Sequence, residues 1–488
     1  MIYETTETFY NDNINNFKKF EKIICDTFDL DDETSSRTVK RILVSSISKR
    51  TKICLFNKLF IFISFLFIIP LFLYLVIMLL LSSRTIKKTL TYDVVFDCWG
   101  ENKELNKLYF ERFYSVLNNI LKKSKVAIFE PNLRKKKSKT ISSYYNLEEI
   151  HKRSMVSKFI FIRIFKYFTK YIYTIINISI KSNINFVIIF IKILRQYLIH
   201  QLNTQNIKCV KYLISAGDNY YTPLMYYIYK KNGVKKIFLI QNGLRTEEFE
   251  SSFYISCDLY FSLNMQMKNN YIGLKAYDKI NYIGSLRLYN SINDIRFTNE
   301  NYDIVFIEQI AENETLHNKN NSLYPLMENY FLALQYLSNF SSKYKNIKII
   351  YRAKRKEYNE NCSTFLQRRN DIIASSNIIL DEEIHNNSYE SILDSKIVVY
   401  SHSTMGLESI SLSKKVLCCN FGKFDFLLSN NNEIGVIVDE DYELYENKLL
   451  YLLENNEITN IYFDGKRKTY GELSKKPYKI ILECMEIK

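Results

Sequence analysis

Lys396–Phe421 reads KIVVYSHSTMGLESISLSKKVLCCNF. Ile397–Tyr400 is short, β-branched and bounded by charge, which predicts a strand. Met405, Leu407, Ile410 and Leu412 then give an apolar helical face, and Val416–Asn420 predicts the next strand. The unit is therefore strand, polar turn, helix, strand. Ser401, Ser403 and Thr404 stand where the first N–H groups of a helix lack intrahelical acceptors, so a phosphate there would take those groups, the hydroxyls and the positive end of the helix dipole. Glu408 needs a separate reason. In a capping box the acid follows the Ser or Thr by three residues, and Gly406 and Leu407 occupy those places. A carboxylate one turn deeper, among apolar neighbours, can accept hydrogen bonds from a ribose diol. The plainer alternative is an N-capped helix with one solvated Glu. On the ribose reading, Glu408→Ala should remove nucleotide binding and leave the fold intact.

Further strands are expected at Tyr92–Phe96, Lys125–Phe129, Val210–Ser215, Ile237–Gln241 and Leu259–Ser262, and again at Asn301–Phe306, Ile347–Tyr351 and Asn377–Leu380. Strands alternating with helix-period segments imply doubly wound parallel sheets. A chain of 488 residues exceeds what one core usually serves. The expected division is a polar arm over 1–55, a membrane segment over 56–84, an N-terminal α/β domain over 85–295 and a C-terminal α/β domain over 296–488. Nine cysteines without metal spacing and five scattered histidines predict reduced thiols and no metal centre or cofactor.

Three segments together resemble GT-B glycosyltransferases, most closely those of surface carbohydrate, O-antigen and lipopolysaccharide biosynthesis. DSKIVVYSHSTMGLESISLSKKVLCCNFG is similar to their donor-binding pattern of a strand, S-T-x-G-x-E, G-K-K-V-L and a strand, with Ser413 in place of the usual Gly. FLIQNGLRTEEF, Phe238–Phe249, looks like their Q-N/H-G-x-R segment. IIYRAKRKE, Ile349–Glu357, resembles the strand plus R-x-K/H segment that this group shares with CDP-glycerol glycerophosphotransferases. INYIGSLRL, Ile280–Leu288, is similar to the segment ending the group's first domain.

The resemblance implies two doubly wound domains facing a cleft, with a nucleotide-activated sugar held by the second and the acceptor by the first. Ser401, Ser403, Thr404 and Glu408 would hold the nucleotide. Arg352 and Lys354 would neutralise the leaving diphosphate in place of a metal, unless they belong to a solvated basic run with Arg355 and Lys356. Asn242, Gly243 and Arg245 would face the acceptor. Because Asn242 stands where the glycerophosphotransferases have His, and an amide is no base, Asp218 and Asp97 are the candidate bases, each otherwise a cap or turn residue. A CDP-linked glycerophosphate or polyol-phosphate transferase and a GT-B-shaped scaffold without turnover are the alternatives.

The net charge of +15 is uneven: residues 301–488 hold 22 Lys/Arg against 27 Asp/Glu, which leaves +20 on residues 1–300. The basic half contains Leu59–Ser83, LFIFISFLFIIPLFLYLVIMLLLSS, uncharged and long enough to span a bilayer. Pro70 near its middle allows either a kinked single pass or a re-entrant hairpin. Residues 157–200 are apolar but interrupted by Arg163, Lys166, Lys170, Lys181, Lys192 and Arg195, as amphipathic helices on a bilayer or a cationic wall on the first domain would be. Basic clusters beside apolar segments favour an anionic membrane surface over nucleic acid. The catalytic domains are expected on the cytoplasmic face, where activated donors are made.

Overall fold

In the computed structural model the chain forms two compact units, one of Met1–Ser262, Met267–Asn281 and Met485–Ile487, the other of Leu263–Gln266, Tyr282–Cys484 and Lys488. The structure describes residues 2–47, 90–98, 110–121, 124–130, 148–151, 158–204, 207–217, 221–243, 254–263, 280–292, 300–308, 324–353, 363–381, 384–424, 435–455 and 476–485, with 63, 66, 70, 73 and 107 as isolated positions.

The first unit opens with helices α1 (Ile2–Asp12), α2 (Ile14–Phe28) and α3 (Asp32–Ile47). Then come β1 (Leu90–Asp97), α4 (Ser115–Ile120), β2 (Val126–Glu130), β3 (Glu148–His151), α5 (Lys158–Ser182) and α6 (Phe186–Thr204). The unit continues through β4 (Ile207–Ser215), α7 (Pro223–Lys231), β5 (Val234–Ile240), β6 (Leu259–Ser262) and β7 (Ile280–Tyr282). The strands lie in the order β3-β2-β1-β4-β5-β6-β7. The pairs from β3 through β6 are parallel. Buried Val94, Val95 and Phe96 of β1 and Leu213 and Ile214 of β4 show why these strands read as apolar runs: both faces are covered.

The stretch expected as a polar arm is polar on one side only. α2 buries Phe17, Phe20, Ile23, Ile24 and Phe28 at helical spacing. These join Phe161, Ile164, Phe168, Ile175 and Ile178 of α5 and Phe186, Phe190 and Ile193 of α6 in one core with the sheet. Arg163 seals the edge of that contact through a 2.8 Å ion pair to Asp29. Of the two forms open to residues 157–200, α5 and α6 therefore pack one face on the first unit. Among the described residues no helix is long and apolar enough to cross a membrane, and the expected membrane segment lies outside them apart from four isolated positions.

The second unit holds α8 (Leu286–Ile292), β8 (Tyr302–Ile307), α9 (Tyr324–Lys343), β9 (Ile349–Arg352), α10 (Ser363–Ala374), β10 (Ile379–Asp381) and α11 (Ser388–Leu393). It ends with β11 (Ser395–Tyr400), α12 (Thr404–Ser411), β12 (Lys415–Cys419), β13 (Val436–Ile437), α13 (Tyr442–Glu454) and α14 (Pro477–Cys484). Its sheet is parallel, in the order β10-β9-β8-β11-β12-β13. Both sheets thus start at a central strand, run outward, return to the centre and run out the other way, as the doubly wound expectation requires. In such sheets ligands bind beyond the carboxyl ends of the strands, where the order reverses. In the second unit that point lies between β8 and β11.

Candidate functional site

β11 ends at Tyr400 on this reversal point, and the chain turns through Ser401 and His402 into α12. Ser403 is the N-cap: its backbone is extended, φ −99° and ψ 133°, and its hydroxyl accepts the Met405 N–H at 3.2 Å. Ser401 is buried and its Oγ lies 2.6 Å from His402 Nδ1. The helix crosses the strand very closely. A Cβ on Gly406 would stand 2.1 Å from Cγ of the Tyr400 ring, so only glycine lets α12 start there. Ser413, just past the helix, has φ 62°, the left-handed region that glycine adopts without cost. That accounts for Gly being usual there in the resembling pattern.

Glu408 is 6% exposed, but its neighbours are not apolar. Ser285 Oγ donates to Oε1 at 2.5 Å, while Arg287 Nη2 and Tyr389 Oη each donate to Oε2 at 2.7 Å. Arg287 Nε also donates to the Tyr389 hydroxyl at 3.0 Å. Burial works against the Arg287 charge, yet the Glu408 carboxylate and Tyr389 more than offset it and raise the guanidinium above its usual range. Burial, with Glu408 beside it, likewise raises the Tyr389 phenol. Ser285 and Arg287 come from the segment IGSLRL, where Gly284 at φ 73° makes the turn and Ser285 Oγ also accepts the Leu288 N–H. The expectation that Glu408 can be removed without harm to the fold is therefore corrected: Glu408→Ala would leave the half-buried Arg287 guanidinium without its carboxylate.

Arg352 closes β9 and turns largely inward. It is 4% exposed; Nη1 donates to Asp381 Oδ1 at 3.0 Å and to the His385 carbonyl at 3.1 Å, and Nε to Ser388 Oγ at 3.3 Å. His385 is held in turn between Asp381 Oδ2 at 2.8 Å and Asp394 Oδ2 at 3.1 Å. Arg352, expected at the leaving diphosphate, thus fastens α11, which also carries Tyr389, through Nη1 and Nε, while Nη2 has no bond among the described residues. Lys354 lies outside the described residues. The two lysines of the G-K-K-like segment are inward as well. Lys414 Nζ reaches Glu300 at 2.7 Å and the carbonyls of Leu393 and Ser395 at 2.8 Å, and Lys415 Nζ reaches the Leu452 carbonyl at 2.7 Å.

In the first unit Asp97 ends β1 with no exposed surface. Its Oδ2 accepts the Tyr221 hydroxyl at 2.6 Å, and its carbonyl accepts the Tyr114 hydroxyl at 2.9 Å. Burial and the nearby Asp97 push the Tyr221 phenol well above its usual range. A carboxylate walled in this way cannot meet an acceptor hydroxyl, so Asp97 is corrected from candidate base to a strut between β1 and Tyr221. Gln241 fixes the turn after β5: its amide donates to the Gly243 carbonyl at 2.7 Å and accepts Ser262 Oγ at 2.9 Å. Asn242 and Gly243 are half-buried beyond that strand end, while Asp218 and Arg245 lie outside the described residues.

The structure therefore brings Ser401, Ser403, Thr404 and Glu408 together. It adds Ser285, Arg287, Tyr389 and His402, which the sequence reading did not assign to the site; the one signal for the first two was the GSLR segment. A groove of about 820 Å³ along α9 and α10, over Phe421 and Gly422, is separate from this cluster. Its buried amide, Asn329, is used by the Cys419 carbonyl and the Gly422 N–H.

No family model matches the chain, and no curated protein matches it in sequence. In structure it is similar to a protein assigned as a UDP-N-acetylglucosamine 2-epimerase from Listeria monocytogenes, with 10% identity over 81% of this chain and 96% of that one, at a TM-score of 0.46. It is similar also to the wall teichoic acid polymerase TagF, with 11% identity over 83% and 90% of the two chains and a TM-score of 0.43. A third likeness is to a glycosyltransferase from Rickettsia africae ESF-5, with 13% identity over 81% and 98% and a TM-score of 0.43. At this level of identity and superposition the likeness does not extend to substrate or reaction.

Proposed function

We propose that the chain is a membrane-associated, metal-independent glycosyltransferase of the GT-B type. It moves a sugar from a nucleotide-activated donor to a surface-polysaccharide or lipid-linked acceptor on the cytoplasmic face. The observation that carries this reading is the arrangement at the reversal of the second sheet: Ser401, Ser403 and the N-terminus of α12 stand at the end of β11, with Glu408 one turn inside. The positive end of the helix dipole and the hydroxyls around it suit a diphosphate, which would compete with Ser403 for the Met405 N–H, and a carboxylate at that depth suits a ribose diol. Glu408 Oε1 has one donor among the described residues, Ser285, which leaves it acceptor capacity for a ribose hydroxyl. The nucleotide's charge is met by backbone dipoles and, in this reading, by Lys354 rather than Arg352.

The test is thermal shift and calorimetric titration of the full chain with UDP, CDP, GDP and dTDP in the presence of a chelator. One nucleoside diphosphate should raise the melting temperature by mass action, and Ser403→Ala should weaken that binding. The absence of any shift across the four would refute the donor-site reading. A CDP preference would move the assignment to the glycerophosphate or polyol-phosphate transferase. One observation favours the scaffold as a second reading: both described candidates for catalysis, Asp97 and Arg352, are buried and internally bonded. Nucleotide binding without hydrolysis or transfer for any donor sugar would support it.

A further inference from the structure

From Ile150 to Gly217 the sequence contains no Asp or Glu and eleven Lys or Arg. α5 is the longest helix in that stretch, 25 residues, or about 37 Å at about 1.5 Å per residue. Its inner side is occupied, since Phe161, Ile164, Phe168, Ile175 and Ile178 are buried in the first core. Its outer side is neither bare nor simply polar. Phe159 is 82% exposed, Ile162 45%, Tyr173 76% and Ile180 58%, and Lys166, Lys170 and Lys181 are exposed beside them. At about 100° per residue these seven positions fall within an arc of about 120°. Tyr167 and Tyr171 stack at the border of the stripe, with Lys170 Nζ 4.7 Å over the Tyr171 ring. Among the described residues no carboxylate forms an ion pair with the three lysines, whereas Arg163, toward the core edge, is paired with Asp29.

We propose that this outer face of α5 is a membrane contact in its own right, whose partner is an anionic lipid surface. Large exposed apolar side chains in a soluble-facing stripe cost solvation unless covered. Alternating them with exposed lysines that form no carboxylate ion pair among the described residues suits the headgroup boundary, where rings and Ile side chains enter the acyl margin and ammonium groups meet lipid phosphates. A second copy of the chain would bring the same lysines against one another, which charge disfavours. The contact requires neither the uncharged segment 59–83 nor the nucleotide site, so it stands or falls apart from the proposed activity.

The test is a single-tryptophan reporter in the full chain. Trp99→Phe with Tyr173→Trp places the fluorophore on the stripe, and Trp99→Phe with Tyr451→Trp places it on an exposed position of α13 as the control. Vesicles of phosphatidylcholine with and without phosphatidylglycerol carry brominated acyl chains as quencher. Position 173 should shift to the blue and be quenched only with the anionic lipid, and position 451 should not respond. Each basic group near such a surface is worth about fivefold in affinity, so Lys166→Gln, Lys170→Gln and Lys181→Gln together should weaken the quenching contact about a hundredfold. High salt should act in the same direction. If vesicles capture the protein while position 173 stays unquenched, the stripe is not a membrane contact. Quenching that ignores the lysine substitutions refutes the role of charge. A blue shift that grows with protein concentration and needs no lipid would instead make the face a contact between copies.

Discussion

Replacing Arg287 with Ala removes one partner of a buried pair and leaves the other in place. Glu408 is 6% and Arg287 20% exposed at the side chain, and their 2.7 Å contact is supported from both sides by the Tyr389 hydroxyl. Breaking a pair of this kind costs about 3–5 kcal/mol, mostly because the remaining charge stays desolvated. For a domain of about 200 residues each kcal/mol is worth about 2–4 °C, so the melting transition of the second unit should fall by about 6–20 °C. Removing both charges together, as Arg287→Met with Glu408→Leu, should restore most of that loss because no charge is left uncompensated, the remaining cost being the buried Tyr389 hydroxyl that loses both partners. Calorimetry on wild type, Arg287→Met, Glu408→Leu and the double variant closes a cycle and gives the coupling directly. Nucleotide binding, measured on the same samples, should be lost in the double variant although its stability returns, which separates the scaffold role of the pair from the ligand role of Glu408. A loss of less than about 1 kcal/mol for Arg287→Ala would mean that the pair behaves as a solvated surface bridge, and the reasoning about a buried site would fail.

Gly406→Ala should destabilise by about 1–3 kcal/mol through overpacking on the Tyr400 ring and weaken nucleotide binding by displacing α12; full wild-type melting would contradict the close approach. Ser413→Gly should raise stability by about 1 kcal/mol, since it relieves a left-handed backbone at φ 62°, and urea unfolding would show a higher midpoint with unchanged slope. Arg352→Ala should lower the melting temperature with little specific effect on turnover in the protein that remains folded, whereas Lys354→Ala should do the reverse; comparison of kcat and melting curves distinguishes them. For Asp381, burial opposes the charge, but Ser391, Arg352 and His385 outweigh it and hold the carboxyl below its usual range. A depressed folded-state value contributes stability that is present above about pH 4 and lost as pH falls through the folded value. Asp381→Asn should therefore flatten the acid limb of a stability profile below about pH 4, and an unchanged limb would show that another carboxylate controls it.

Most strands were legible because each is an apolar, β-branched run covered on both faces, and the helix after β11 was legible from its cap and periodicity. β3, β7 and β13 were not; they are two to four residues long and Glu148, Glu149 and His151 carry no apolar pattern. The N-terminal helices were missed for a different reason: their average polarity hides a one-sided apolar stripe. At the site, positions Ser401–Thr404 and Glu408 followed from local spacing. What Glu408 and Arg352 actually touch did not. Ser285 and Arg287 lie more than a hundred residues from Glu408, and Asp381 lies 29 from Arg352, so only the folded chain reveals that one carboxylate is shared and one guanidinium is anchored on its Nη1 side.

Starting each sheet at its centre has a consequence for synthesis. Leu90 of β1 is opposite Ile207 of β4, 117 residues later, with α5 and α6 in between. At about 5–20 residues per second, β1 waits roughly 6–23 s for its inner neighbour while the ribosome makes the rest. Val94, Val95 and Phe96, fully covered in the finished unit, are without that cover throughout the interval. The second unit waits less, since Tyr302 and Ser395 are 93 residues apart. The first unit is thus the one whose nascent strands most need shielding from other chains, and its yield in the cell should respond more steeply to chaperone supply than that of the second.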